Sequence, residues 1–131
     1  MAIRFLTDDW ATAVTDAANA DERFRIAAKG HDVVLRVSVS QSPASDDYYM
    51  HFSDGSLIVG IGSPPPRTPD VEAELSYETN VELSRGGALN GQTATMTGQM
   101  KAVGNMMKMM SIGKKAQDRL AELESGLDID Y

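Results

Sequence analysis

The stretch Val33-Val34-Leu35-Arg36-Val37-Ser38-Val39-Ser40 and its continuation, Tyr48-Tyr49-Met50-His51-Phe52-Ser53-Asp54-Gly55-Ser56-Leu57-Ile58-Val59-Gly60-Ile61, decide the fold class. In the first part Val33, Leu35, Val37 and Val39 alternate with Val34, Arg36, Ser38 and Ser40. A period of two places the first set on one face of a strand. Ser42 to Asp47 is turn chemistry. Tyr48, Met50 and Phe52 then alternate, Asp54-Gly55 is a two-residue hairpin turn, and Leu57, Val59 and Ile61 alternate after it. Two antiparallel neighbours follow from that turn.

Toward the C-terminus, Pro64-Pro65-Pro66 supplies no N–H to a ladder and reads as an exposed connection. Beyond it Val71, Ala73, Leu75 and Tyr77 alternate as a fourth strand. Glu78 to Arg85 reads as a short helix closed by Gly86-Gly87, and Asn90-Gly91 as a turn. Thr95 to Val103 is expected to be a fifth strand, with Met96, Met100 and Ala102 on alternating positions. Gly104-Asn105 ends it, and one helix is expected from about Asn105 to Glu124. Toward the N-terminus, Asp8 caps a helix carrying Trp10, Ala13, Val14, Ala17 and Ala18 at helical spacing, with Asn19 as its stop. Asp21 caps a second helix with Phe24, Ala27 and Ala28 inward and Gly30 as terminator. The order of elements implies an α+β fold: a five-stranded, mostly antiparallel sheet covered on one face by helices. Residues 1–126 form one domain, and 127–131 are expected to be a loose tail.

The 131 residues suit one core, and 42% hydrophobic with 24% charged residues is the composition of an ordinary globular domain. A net charge of −7 repels phosphate backbones, so nucleic acid is not expected as a partner. The absence of cysteine removes disulfides, thiolate metal sites and thiol catalysis together. The N-terminus lacks a signal-peptide pattern, no long apolar run occurs, and Asp128-Ile129-Asp130-Tyr131 is not a peroxisomal address, which makes the cytoplasm the expected location.

The expected C-terminal helix is unusual. Met109, Ile112, Ala116, Leu120 and Leu123 form one core-facing stripe, but Val103, Met106, Met107 and Met110 widen it in the first half to roughly 200°, where ~100° suffices for a packed surface helix. Methionine repacks at low cost around variable apolar shapes, so this surface reads either as plain core filling or as the wall of a ligand site. Lys101, Lys108, Lys114 and Lys115 lie between Met100 and Gln117 with no carboxylate among them. Such a basic rim suits transient contact with an anionic membrane or a phosphate-bearing acyl thioester, and equally an ordinary solvated helix face.

Asn90-Gly91-Gln92-Thr93-Ala94, then Thr97-Gly98-Gln99-Met100-Lys101, then Gly104-Asn105-Met106 resemble the C-terminal signature of the sterol carrier protein 2 family. There an Asn-Pro-Gln turn leads into a Gly-Lys-Leu-Lys strand, and Gly-Asn-Met opens the last helix. The N-terminal Asp8-Asp9-Trp10 segment is similar to the bacterial single-domain members. The chain departs from the pattern at Gly91, where proline is frequent, and at Ala102 and Val103. The resemblance implies a sheet and helices enclosing an apolar tunnel that accepts sterols, fatty acids, fatty acyl-CoA or related lipids without a cofactor. By position, it implies a lining of Leu35, Val37, Met50, Phe52, Val59 and Leu75 from the sheet, with Met100, Met106, Met107 and Met110 from the C-terminal segment. Implied partners are the lipid itself and a pathway enzyme that receives it, with the chain a monomer or weak dimer.

Two other functions compete. Asp46, Asp47, Tyr48, Tyr49 and His51 offer an acid, a phenol and an imidazole of the kind that moves protons on steroid- or polyketide-like substrates. Alternation sets Tyr49 and His51 on one face and Tyr48 on the other, which opposes their convergence. The methionine face could instead bind a partner protein. With His31 and His51 the only histidines, a metal centre is not expected, and Gly60-Ile61-Gly62 lacks the helix that would make it a nucleotide loop.

Overall fold

A computed structural model describes residues 2–85 and 91–131. The elements run β1 (Ile3–Arg4), α1 (Asp8–Ala20), α2 (Glu22–Ala28), β2 (Asp32–Ser40), β3 (Asp47–Ser53), β4 (Ser56–Gly60), β5 (Val71–Ser76), α3 (Tyr77–Ser84), α4 (Gly91–Met96), β6 (Met100–Gly104), α5 (Met106–Ser111), α6 (Gly113–Ser125) and β7 (Ile129–Asp130). The five main strands lie in the order β4-β3-β2-β5-β6. All neighbours are antiparallel except β2 and β5, which run parallel at the centre. The α+β class and the five-stranded sheet are as the sequence implies; the apolar tunnel is not shown.

The hairpin between β3 and β4 turns at Asp54 and Gly55 with φ of 44° and 89°. That pair of positive angles matches the right-handed twist of the strands, and it is the reason an Asp-Gly pair stands there. The alternation sets one face of the sheet inward: Val33, Val37 and Val39, then Tyr48, Met50 and Phe52, then Leu57 and Val59 are all buried. Against them pack Trp10, Val14 and Ala18 of α1, Phe24 of α2, and Ile112, Ala116 and Leu120 of the C-terminal segment. Each fully buried aromatic or branched side chain contributes about 1.5–3 kcal/mol relative to exposure. Trp10 is the centre of an aromatic chain, its ring 5.2 Å from Phe5 and 5.2 Å from Tyr48, both edge-on.

Helix α1 also seals a sheet edge. On the outer strand β4, the Leu57 N–H donates to Asn19 Oδ1 (2.8 Å), Asn19 Nδ2 donates to the Leu57 carbonyl (2.9 Å), and the Val59 N–H donates to Thr15 Oγ1 (3.0 Å). Strand edges with unpaired backbone groups invite association, and here side chains stand in for the missing strand. Asp21 caps α2 through the Phe24 N–H as expected. Arg119 of α6 grips the same carboxylate with two bonds of 2.7 and 2.9 Å, a bidentate geometry that fixes α6 across α2. This holds the Asp21 carboxyl down to about 2 and raises the Arg119 guanidinium.

Several expectations need correction. Thr7, not Asp8, caps α1, its hydroxyl accepting from the Trp10 N–H. The segment 95–99 is not strand: Thr95 and Met96 end α4, and β6 begins only at Met100. The long C-terminal helix is broken at Gly113, whose φ of 83° interrupts it between α5 and α6. The tail is not loose, since β7 pairs in parallel with β1, Ile3 opposite Ile129 and Arg4 opposite Asp130. The short helix 77–84 is present, while its expected Gly86-Gly87 terminator and Asn90 of the next turn lie outside the described residues.

Candidate functional site

Helix α5 is the least embedded of the described helices. None of its residues is buried. Gly104 precedes it with φ of 132°, and a Cβ there would lie 2.2 Å from the Asp70 carbonyl, so only glycine fits where the chain leaves β6. The Asn105 N–H donates to that carbonyl at 2.8 Å, and the Asn105 side chain caps α5 by accepting from the Lys108 N–H. Asp70 is the tether. Its carboxylate accepts from the Val34 N–H (2.8 Å) and from Lys108 Nζ (3.1 Å), and lies 3.0 Å from Arg67. Its part-burial disfavours charge, but those three donors outweigh it and hold the carboxyl below its ordinary value.

The residues implied by the resemblance divide into three groups. Val37, Met50, Phe52, Val59 and Leu75 are buried on the inner face of the sheet. Leu35 and Met100 are half-buried against that core. Met106 is 37% exposed, whereas Met107 and Met110 are 83% and 69% exposed and point away from the sheet. The residues of this segment turned inward are Met109, half-buried, and Ile112, which is buried. Leu75 stands opposite Met100 across β5 and β6, Leu35 lies on β2 opposite Val71 four positions further along the sheet, and Met109 packs on the same core. Met107 and Met110 do not reach it.

A cleft of about 580 Å³ opens where β2, β5 and β6 lie side by side, with Arg36, Ser38, Asp47, Glu74 and Lys101 among its walls. It is open and predominantly polar, with Arg36 bound to Asp47 at 3.0 Å, and it is not an apolar tunnel. The rival proton-transfer set does not converge. Tyr48 is buried and its hydroxyl donates to Asn80 Oδ1 (3.2 Å), while Tyr49 lies over Gly60, where a Cβ would meet its ring. His51 stands 2.9 Å from Asp32, which in turn binds Arg67 at 3.0 Å. Its contact with His51 and then Arg67 holds the Asp32 carboxyl below its usual value. Among the described residues no group of His, Asp and Glu is arranged to hold a metal ion.

One polar group escaped the sequence reading. Glu124 is only 7% exposed, and Ser84 Oγ donates to its Oε2 at 2.5 Å. The Tyr131 hydroxyl stands 2.8 Å from Ser84, and the Arg85 guanidinium lies 4.9 Å over the Tyr131 ring. The Trp10 indole N–H lies beside the same carboxyl, short of good hydrogen-bond geometry. Burial is the larger influence and pushes the Glu124 carboxyl up to about 7, while Ser84 and Trp10 pull the other way. A signal was present: Glu124 continues the four-residue spacing of buried Ala116 and Leu120.

The model of the SCP-2 sterol transfer family matches residues 7–117. The chain belongs to that family. Among solved structures, the sterol transfer fold recurs in a conserved hypothetical protein of Thermus thermophilus, with 17% identity and a TM-score of 0.76 over 96% of this chain and 91% of that one. A crystal structure of sterol carrier protein 2 shares 18% identity and a TM-score of 0.71 over 94% and 98%. The sec-alkylsulfatase Pisa1 from Pseudomonas sp. contains a similar unit at 22% identity and a TM-score of 0.52, over 82% of this chain but 14% of the enzyme. No curated protein sequence matches the chain.

Proposed function

We propose that this sterol transfer domain binds and carries an apolar ligand, a sterol, fatty acid, fatty acyl chain or related lipid, between the inner sheet face and α5. Membership of the family supports lipid binding or transfer in general. The observation that carries the location is the seating of α5, a helix that buries no residue although four of its six are methionine. A helix with so little packing yields to a guest at small cost, and its methionines can remake their contacts around one. Leu35, Leu75, Met100 and Met109 would touch the ligand, with Met106 at the rim. Transfer needs no cofactor in this reading: loading exchanges water-exposed acyl surface for side-chain contact at roughly 25 cal/mol per Å² of apolar area.

Native mass spectrometry of freshly purified protein, with lipid extraction, tests it. The expected result is one sterol, fatty acid or acyl thioester per chain. A ligand-free chain that also fails to take up a fluorescent fatty acid would overturn the proposal.

A further inference from the structure

We infer that the outward face of α5, with the start of α6, is a docking surface for an anionic lipid bilayer, through which the carried lipid enters and leaves; this rests on the carrier reading above. Met107 and Met110 are 83% and 69% exposed, neighbouring Val103 is 61% exposed, and Met106 lies at their edge. Met106, Met107 and Met110 share one side of the helix by their spacing. These are long apolar side chains offered to solvent directly over the segment where the ligand is proposed to lie.

The charge around them identifies the occupant. The chain carries nineteen carboxylates, and none falls between Met100 and Gln117, where Lys101, Lys108, Lys114 and Lys115 stand. Asp70 reaches this region from the sheet, but Lys108 and Arg67 both neutralise it. Lys114 is 85% exposed and makes a 3.4 Å pair with Asp118, one turn further along α6; Lys115 is exposed beside it. Methionines flanked by lysines match a bilayer interface, where apolar tips enter the acyl boundary and ammonium groups remain among phosphates. The chain as a whole is acidic and is repelled by the same surface, so a face free of carboxylates is favoured in the approach. A second copy fits less well, because a two-fold contact through this patch would set lysines against lysines.

Cosedimentation with phosphatidylcholine vesicles, with and without phosphatidylglycerol, tests the surface, and uptake of a fluorescent fatty acid without vesicles is measured in parallel. Wild type should pellet with the phosphatidylglycerol vesicles and release as salt rises. Met107→Ser with Met110→Ser should abolish most of the binding. Lys114→Gln with Lys115→Gln should weaken it on the order of 25-fold, roughly fivefold for each lysine near the surface, and leave fatty acid uptake unchanged. Ile26→Ser, at an exposed apolar residue on α2, should change neither. Failure of wild type to pellet at low salt, or binding indifferent to both double substitutions, overturns the surface; retained uptake in that case leaves the carrier reading standing. A concentration-dependent dimer abolished by the methionine substitutions also overturns it, in favour of a second copy as the occupant.

Discussion

Replacing Glu124 by Gln should make the protein more stable above neutral pH and hardly alter it in mild acid. The carboxyl sits at 7% exposure between Ser84 and Trp10, and burial pushes it from 4.5 up to about 7. A group raised in the fold is still protonated there while its unfolded counterpart has ionised. Stability is therefore fully present below about 4.5 and is lost as pH climbs toward 7, levelling off above it. The displacement corresponds to about 3 kcal/mol, or a midpoint change on the order of 10 °C for a chain of this size. Glutamine keeps an oxygen for the Ser84 hydroxyl and has no proton to lose. Urea unfolding followed through the single tryptophan, Trp10, should show Glu124→Gln and wild type nearly equal at pH 4 and separated by about 3 kcal/mol at pH 8. The depressed carboxyls Asp21, Asp32 and Asp70 impose the opposite trend on both proteins, so the difference between the two curves isolates Glu124. A difference that stays flat from pH 4 to pH 8 would refute the buried-acid reasoning.

Other expectations follow from single contacts. Arg119→Met should lower the urea midpoint by freeing α6 from α2, and it should flatten the acid limb between pH 4 and pH 2, where protonation of Asp21 otherwise ends the pairing. Phe24→Ala should cost about 3–5 kcal/mol at a fully buried site, read by thermal or urea melts. Gly104→Ala should cost about 1–3 kcal/mol through its positive φ alone. It should also speed amide exchange across α5, because the added methyl collides with the Asp70 backbone. Asn19→Leu should leave the Leu57 backbone unpaired on β4, and light scattering should register faster aggregation than wild type on warming.

The strands from Val33 to Ser76 are legible in the sequence because a half-buried strand repeats every two residues and an Asp-Gly turn fixes its neighbour, although Tyr77, which keeps the alternation, opens α3. The same rule misled at Thr95 to Gln99. Met96, Met100 and Ala102 keep even spacing, but Met96 belongs to a helix, and a four-residue gap suits either period. The pairing of β1 with β7 joins two-residue strands from opposite ends of the chain, too short to carry any pattern. The break at Gly113 was hidden because the apolar stripe continues through it from Met109 to Ala116. Met109 and Ile112 do face the core, as their three-and-four spacing implies; Met107 and Met110 were drawn inward only by the resemblance, and their side of the widened stripe is left outside. Asp70 and Glu124 owe their importance to partners 38 and 40 residues distant. Only the phase of Glu124 with Leu120 hinted at burial.

The interruption at Gly113 divides the C-terminal arm into parts of unequal permanence. Ile112 is a pivot nailed into the core at 2% exposure, and α6 beyond it is clamped through Arg119; α5 before it is held chiefly by Asp70 and by half-buried Met109. On the proposed carrier reading, six residues swing away while the clamp holds, so admission of a guest draws on a local opening and not on the unfolding free energy of the whole domain. Exchange of cargo and endurance of the fold would then be set by different contacts, and either could drift over generations without dragging the other along.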